Sequence, residues 1–189
     1  MVCNGPGPRF VTRIVSKSFG SGQSFGQDKL PGIVEGPPQG GGCCGGSLDV
    51  CSLGNGGSIT LAFDGNAIVD GPGADFIVFE NPFDVGADPA KVYAELATVE
   101  VSPDGVSWST FPCMALAYPY GSCAGWHPVY ANPGTNSIDP LDPSAAGGDS
   151  FDLADVGLSM ARFVRVSDRP DLPTVFDLDA VSVVNAACA

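Results

Sequence analysis

Short apolar runs fenced by glycine and proline leave this chain little room to be helical. Its 189 residues include 26 glycines and 17 prolines. Gly loses the most backbone entropy in a regular element, and Pro lacks an N–H and clashes with the preceding turn. The runs between them are rich in Val, Ile, Phe and Thr, which pack well on a pleated surface. The pattern predicts an all-β protein, an antiparallel β-sandwich with minimal helix. Hydrophobic residues make up 44% of the chain, ample for a core. One domain is expected over 1–189, with an ordered Gly/Pro-rich loop over 20–57 and a long loop over 112–148.

The expected strands are 9–17, 58–63, 75–80, 97–102, 106–111, 162–168 and 176–184. Pro103-Asp104-Gly105 between two alternating runs is a hairpin signal, with Val106 and Trp108 expected to face inward. In 150–160 one short helix is expected, with Phe151, Leu153, Val156 and Leu158 buried.

The chain has seven cysteines and a single histidine, His127. No CxxC pair or Cys/His cluster suggests zinc, so the cysteines read as disulfide partners in an oxidising compartment. Cys113 and Cys123 bracket one loop, Cys43 or Cys44 pairs with Cys51, and Cys3 with Cys188 would tie the ends together. The odd seventh thiol stays free or pairs outside the chain. No stretch is apolar enough to span a membrane, and no signal peptide is visible in the chain as given. Met1-Val2-Cys3 reads as a start placed before a mature, extracellular or cell-surface sequence.

Between Leu30 and Ala161 stand 16 Asp or Glu against one basic side chain, Lys91, and the net charge is −13. This excludes nucleic acid, whose phosphates need Lys and Arg, and anionic membrane surfaces. It favours cations. The acids sit beside Gly, Pro and Asn in short loops, and Ca²⁺ takes six to eight oxygens from such groups. One candidate ligand set is Asp64, Asp70, Asp75, Glu80 and Asn81 with Asp177 and Asp179. Residues two apart share a strand face, so Asp177 and Asp179 point together while Phe176 and Leu178 take the core. Asp75 and Asn81 share parity, while Glu80 opposes them or lies past the strand end, so the seven do not all hold one ion. A second candidate set is Asn136, Asp139, Asp142, Asp149, Asp152 and Asp155, without EF-hand spacing. There Asp149 is also a candidate cap for the short helix, with Asp152 near its positive end.

Support for catalysis is thin. A Ser-His-Asp triad would need His127, and no G-x-S-x-G elbow is present. The chain reads as non-enzymatic. Tyr118, Tyr120, Trp126, His127 and Tyr130 gather around the Cys113–Cys123 region as a candidate ligand surface. Aromatic rings with polar handles suit saccharides.

Two blocks, 98-TVEVSPDGVSWSTF-111 and 161-ARFVRVSD-168, resemble signatures of the galactose-binding-like (discoidin, or F5/8 type C-like) superfamily. One of its strands ends in S-x-D-G-x-x-W, here Ser102 to Trp108, and a later one reads a-R-y-V-R-v, here Ala161 to Val166. GADFIVFEN and FDLDAV also resemble secreted bacterial cell-surface proteins of unknown function. The resemblance implies an eight-stranded jelly roll, a structural Ca²⁺, and ligand binding through loops at one end.

The leading expectation is therefore a non-enzymatic, calcium-binding extracellular or cell-surface β-sandwich with a structural or adhesive role. One alternative is a carbohydrate-binding module with structural calcium. Another is a self-assembling surface or filament subunit, with the free cysteine and the Gly/Pro-rich segment at subunit contacts. Expected partners are calcium, glycans, other surface proteins or further copies of the chain.

Overall fold

The computed structural model describes residues 8–188. Every strand pairing among them is antiparallel, and the helical content is three short 3₁₀ turns. The largest sheet orders its strands Arg13–Ser18, Ser58–Ala62, Phe163–Asp168, Ala97–Ser102 and Ser109–Thr110. A three-stranded sheet sets Phe76–Phe79 between Asp149–Phe151 and Ala180–Val183. Another sets Ala67–Val69 between Met160–Ala161 and Ala186–Ala187.

The first two sheets share a core. Ile59, Leu61, Val99, Val101, Val164 and Val166 from the five-stranded sheet meet Phe76, Val78, Phe151, Val181 and Val183 from the other. Phe76 and Phe151 stack at 5.0 Å, and Phe111 meets both rings edge-on. The run Phe76-Ile77-Val78-Phe79 is apolar without alternation because it is covered twice. Phe76 and Val78 face the shared core, while Ile77 and Phe79 pack under Val129, Ala131 and Ala146 of the long loop. A continuous apolar strand is the mark of such two-sided burial.

The edge strand Arg13–Ser18 is mostly exposed. Its register skips Val15, since Ile14 pairs with Leu61 and Ser16 with Thr60. This bulge ends the alternation expected over 9–17. A short, charged, bulged edge resists pairing with other chains. The run 176–184 also divides. Asp177–Leu178 pairs with Cys51–Ser52, and Ala180–Val183 with Phe76–Phe79.

The Pro103-Asp104-Gly105 turn forms as expected. Ser102 Oγ accepts the Gly105 amide at 2.8 Å, Asp104 Oδ1 accepts those of Val106 and Ser107, and Gly105 takes φ 78°, a conformation open to glycine. Val106 and Trp108 do not face inward. Val106 is 82% exposed, and Trp108 is half-buried on the outer face with the Arg165 guanidinium 3.7 Å from its ring centroid.

The helix expected over 150–160 is absent. Ser150 and Phe151 belong to a strand, and a 3₁₀ turn covers only Leu153–Val156. Phe151 and Leu153 are buried, while Val156 and Leu158 are only partly so. Strand pairing with Phe76–Phe79 overrides the local preference, and Gly157 closes the turn.

A disulfide joins Cys113 to Cys123, as expected. A second joins the adjacent Cys43 and Cys44, so neither pairs with Cys51. Cys51 is free and buried, which removes it from any subunit contact. Cys188 is disulfide-bonded, and Cys3 lies outside the described residues. No helix among the described residues is long and apolar enough to cross a membrane.

Candidate metal centre

Asp75 precedes the central strand and organises three segments. Its amide donates to Phe151 O at 2.7 Å. Its Oδ1 accepts Gly71 N at 2.9 Å and Asn185 Nδ2 at 2.8 Å, and its Oδ2 accepts Leu153 N at 2.8 Å. The approach of Asn185 depends on Gly71, where a Cβ would meet the Asn185 side chain at 2.5 Å. Asp152 caps the 3₁₀ turn, its Oδ1 accepting Ala154 N at 2.9 Å. Asp70 is exposed, and its amide is held by Ser159 O. Carboxylate oxygens of Asp70, Asp75 and Asp152 lie within 4.8 Å of one another. Three carboxylates so close repel unless positive charge offsets them.

The expected first ligand set is thus divided. Asp70 and Asp75 join Asp152, which the sequence had placed in the second set. Asp64 forms a two-pronged ion pair with Arg13 at 2.9–3.1 Å, which holds its carboxyl below the usual range. Asn81 donates to Ser47 O at 2.8 Å. Asp179 accepts the Gln39 amide at 3.0 Å, away from the partners of Asp177, so the two carboxylates do not act together.

The second set also separates. Asn136, Asp139 and Asp142 accept the amides of Ile138, Leu141 and Ser144, each two residues on. Such turns explain their presence beside Pro and Ser. Asp155 is exposed in the 3₁₀ turn. Asp149 caps no helix. It is buried, with Oδ2 accepting Gly125 N at 2.6 Å and Trp126 N at 3.2 Å, and Oδ1 lying 2.7 Å from His127 Nδ1.

A different group of acids lies inside the protein. Glu80 is 1% exposed, and neither oxygen has a hydrogen-bond partner. Burial pushes its carboxyl well above the usual range, with Glu95, Asp177 and Asp149 adding repulsion. Glu95 is pushed up to about 7, chiefly by burial and then by Asp177. Burial also raises Asp177 and Asp168. Asp168 is held by the amides of Gly56 and Phe176, both at 2.8 Å. Glu95 was missed in the sequence, although a signal exists. The core-facing alternation Val101, Val99, Ala97 extends back to Glu95, as Phe76 and Val78 extend to Glu80 and Val164 and Val166 to Asp168.

The aromatic group assembles beside these acids. Tyr118, Tyr120 and Trp126 meet edge-to-face at 5.6–5.9 Å. Trp126 Nε1 donates to Cys123 O at 3.1 Å, and its ring centroid lies 3.7 Å from that of His127. Tyr118 is 69% exposed. Tyr118, Trp126, His127 and Tyr130 line a cavity of about 190 Å³ together with Asp84 and Val92. The near-perpendicular rings form a cleft wall and not a flat platform. No protein-family model matches this chain, and no curated protein matches it.

Proposed function

We propose that this chain is a calcium-binding, non-enzymatic β-module of the extracellular space or cell surface, with a structural or adhesive role. The carrying observation is the convergence of Asp70, Asp75 and Asp152. Three carboxylates from two loops form a hard, oxygen-only donor set suited to Ca²⁺. A cation there would tie the loop before the central strand to the 3₁₀ turn and so add to folding stability. The disulfides Cys43–Cys44 and Cys113–Cys123 support an oxidising compartment. The two sheets around one core are compatible with a galactose-binding-like jelly roll, the arrangement we propose for them. Thermal unfolding in Ca²⁺, Mg²⁺ and EDTA tests the reading. A rise of several degrees specific to Ca²⁺ is expected, and identical curves would exclude it.

The cavity beside Tyr118 and Trp126 favours one further reading, a carbohydrate-binding module with structural calcium. Aromatic edges with polar neighbours suit a sugar ring. Binding on a glycan array that is lost in Trp126→Ala would support it.

A further inference from the structure

We infer that a second divalent-cation site lies inside the protein, between the end of the central strand and the Asp177–Leu178 strand, with Glu80 and Asp177 as its carboxylate ligands and Ser52 as a neutral oxygen donor. Both oxygens of Glu80, Oδ1 of Asp177 and Oγ of Ser52 are buried without hydrogen-bond partners. The three residues are 1%, 7% and 1% exposed. Buried polar side chains in folded proteins nearly always have partners; the Ser52 hydroxyl can serve Asp177, but the Glu80 carboxylate and the two negative charges still call for a counter-charge.

Their placement follows from the strands. Ser52 and Asp177 are directly paired across two strands. Glu80 follows Phe79 at the end of the central strand, and Asp177 is among the acids that bear on it. The charged side chains bearing on Glu80 are Glu95, Asp177 and Asp149, all acidic. The oxygens of Asp149 are already engaged by Gly125, Trp126 and His127. No basic side chain among the described residues answers Glu80, and an ionised carboxylate in such a place is strongly disfavoured without a counter-charge.

A proton on Glu80 would neutralise one acid and donate a single hydrogen bond, leaving the charge of Asp177 uncompensated. A divalent cation would balance both carboxylates and bind all four oxygens. The absence of sulfur and nitrogen donors among them favours a hard cation such as Ca²⁺. This site shares no residue with Asp70, Asp75 and Asp152.

Bound calcium measured by equilibrium dialysis of EDTA-treated protein tests the inference, on wild type, Glu80→Gln, Asp177→Asn and Asp70→Asn, each checked for native circular dichroism. The expected result is the loss of one equivalent in Glu80→Gln and in Asp177→Asn, with that equivalent retained in Asp70→Asn. If Glu80→Gln does not fold, Asp177→Asn decides by the same readout. Wild-type stoichiometry and affinity in the folded inner variants would overturn the inner site, and loss confined to Asp70→Asn would leave only the outer one. Loss confined to the inner variants would overturn the Asp70 reading instead. A wild-type protein that binds no calcium would overturn both.

Discussion

His127 Nδ1 lies 2.7 Å from Asp149 Oδ1, joining a half-exposed ring to a buried carboxylate. The other carboxylate oxygen is fixed by the Gly125 and Trp126 amides. Asp149 therefore organises the chain from Gly125 to His127, and the imidazole is its replaceable partner. Asp149→Ala should cost about 3 kcal/mol, because it leaves buried donors unpaired. His127→Ala should cost about 1 kcal/mol, since water can reach its place. Urea unfolding of both variants checks the order, and equal losses would refute it.

Asp70 and Asp75 share a cluster but not a role. Asp75 is tied to three protein donors, so Asp75→Ala should lose about 3 kcal/mol in EDTA and more in calcium, where a ligand is lost as well. Asp70 is exposed, and its carboxylate serves the cation without holding the protein's own amides. Asp70→Asn should lower Tm in calcium and leave it unchanged in EDTA. Melting curves in both conditions decide. An equal effect of Asp70→Asn in the two would remove the metal role from this cluster.

What the sequence made legible was periodic. Ile59 and Leu61, Val99 and Val101, and Val164 and Val166 announce their strands by alternation, and the turn at Asp104-Gly105 is written in its residues. The regrouping of acids was not legible. Asp152 reaches Asp75 only because Phe151 pairs with Phe76, a contact between residues far apart in the chain. Helical spacing in 150–160 concealed a strand for the same reason. Asp177 and Asp179 have the spacing of one face, yet the chain changes partner between them. Glu95 stood in plain alternation with Ala97 and was overlooked because acids are ordinarily expected outside.

Asp179 should make stability depend on pH. Burial pushes its carboxyl up to about 8, with Asp49 adding to the rise and the Gln39 amide opposing it. The folded state then keeps a proton that the unfolded chain releases near pH 4. The folded state binds more protons between those values, so this residue's contribution falls as pH rises from about 4 to about 8 and is level beyond. Asp179→Asn stays neutral and can still accept from Gln39. In EDTA, its Tm advantage over wild type should widen from pH 5 to pH 8.5. A constant difference would show that Asp179 is not protonated in the folded state.

The cysteines divide into a staple and a reporter. Reducing Cys113–Cys123 opens a loop with a sequence separation of 10. The chain-entropy account puts the loss at about 3 kcal/mol, and Cys113→Ser with Cys123→Ser should reproduce it in urea unfolding. Cys51 has no exposed surface, and burial pushes its thiol up to about 11. A thiolate is the reactive form, so this thiol should resist aromatic disulfide reagents in native protein and react at once in denaturant. Mass mapping of the labelled site in wild type and Cys51→Ala separates it from the other cysteines. Rapid labelling of Cys51 in the folded state would contradict its burial between the Asp177–Leu178 strand and the core.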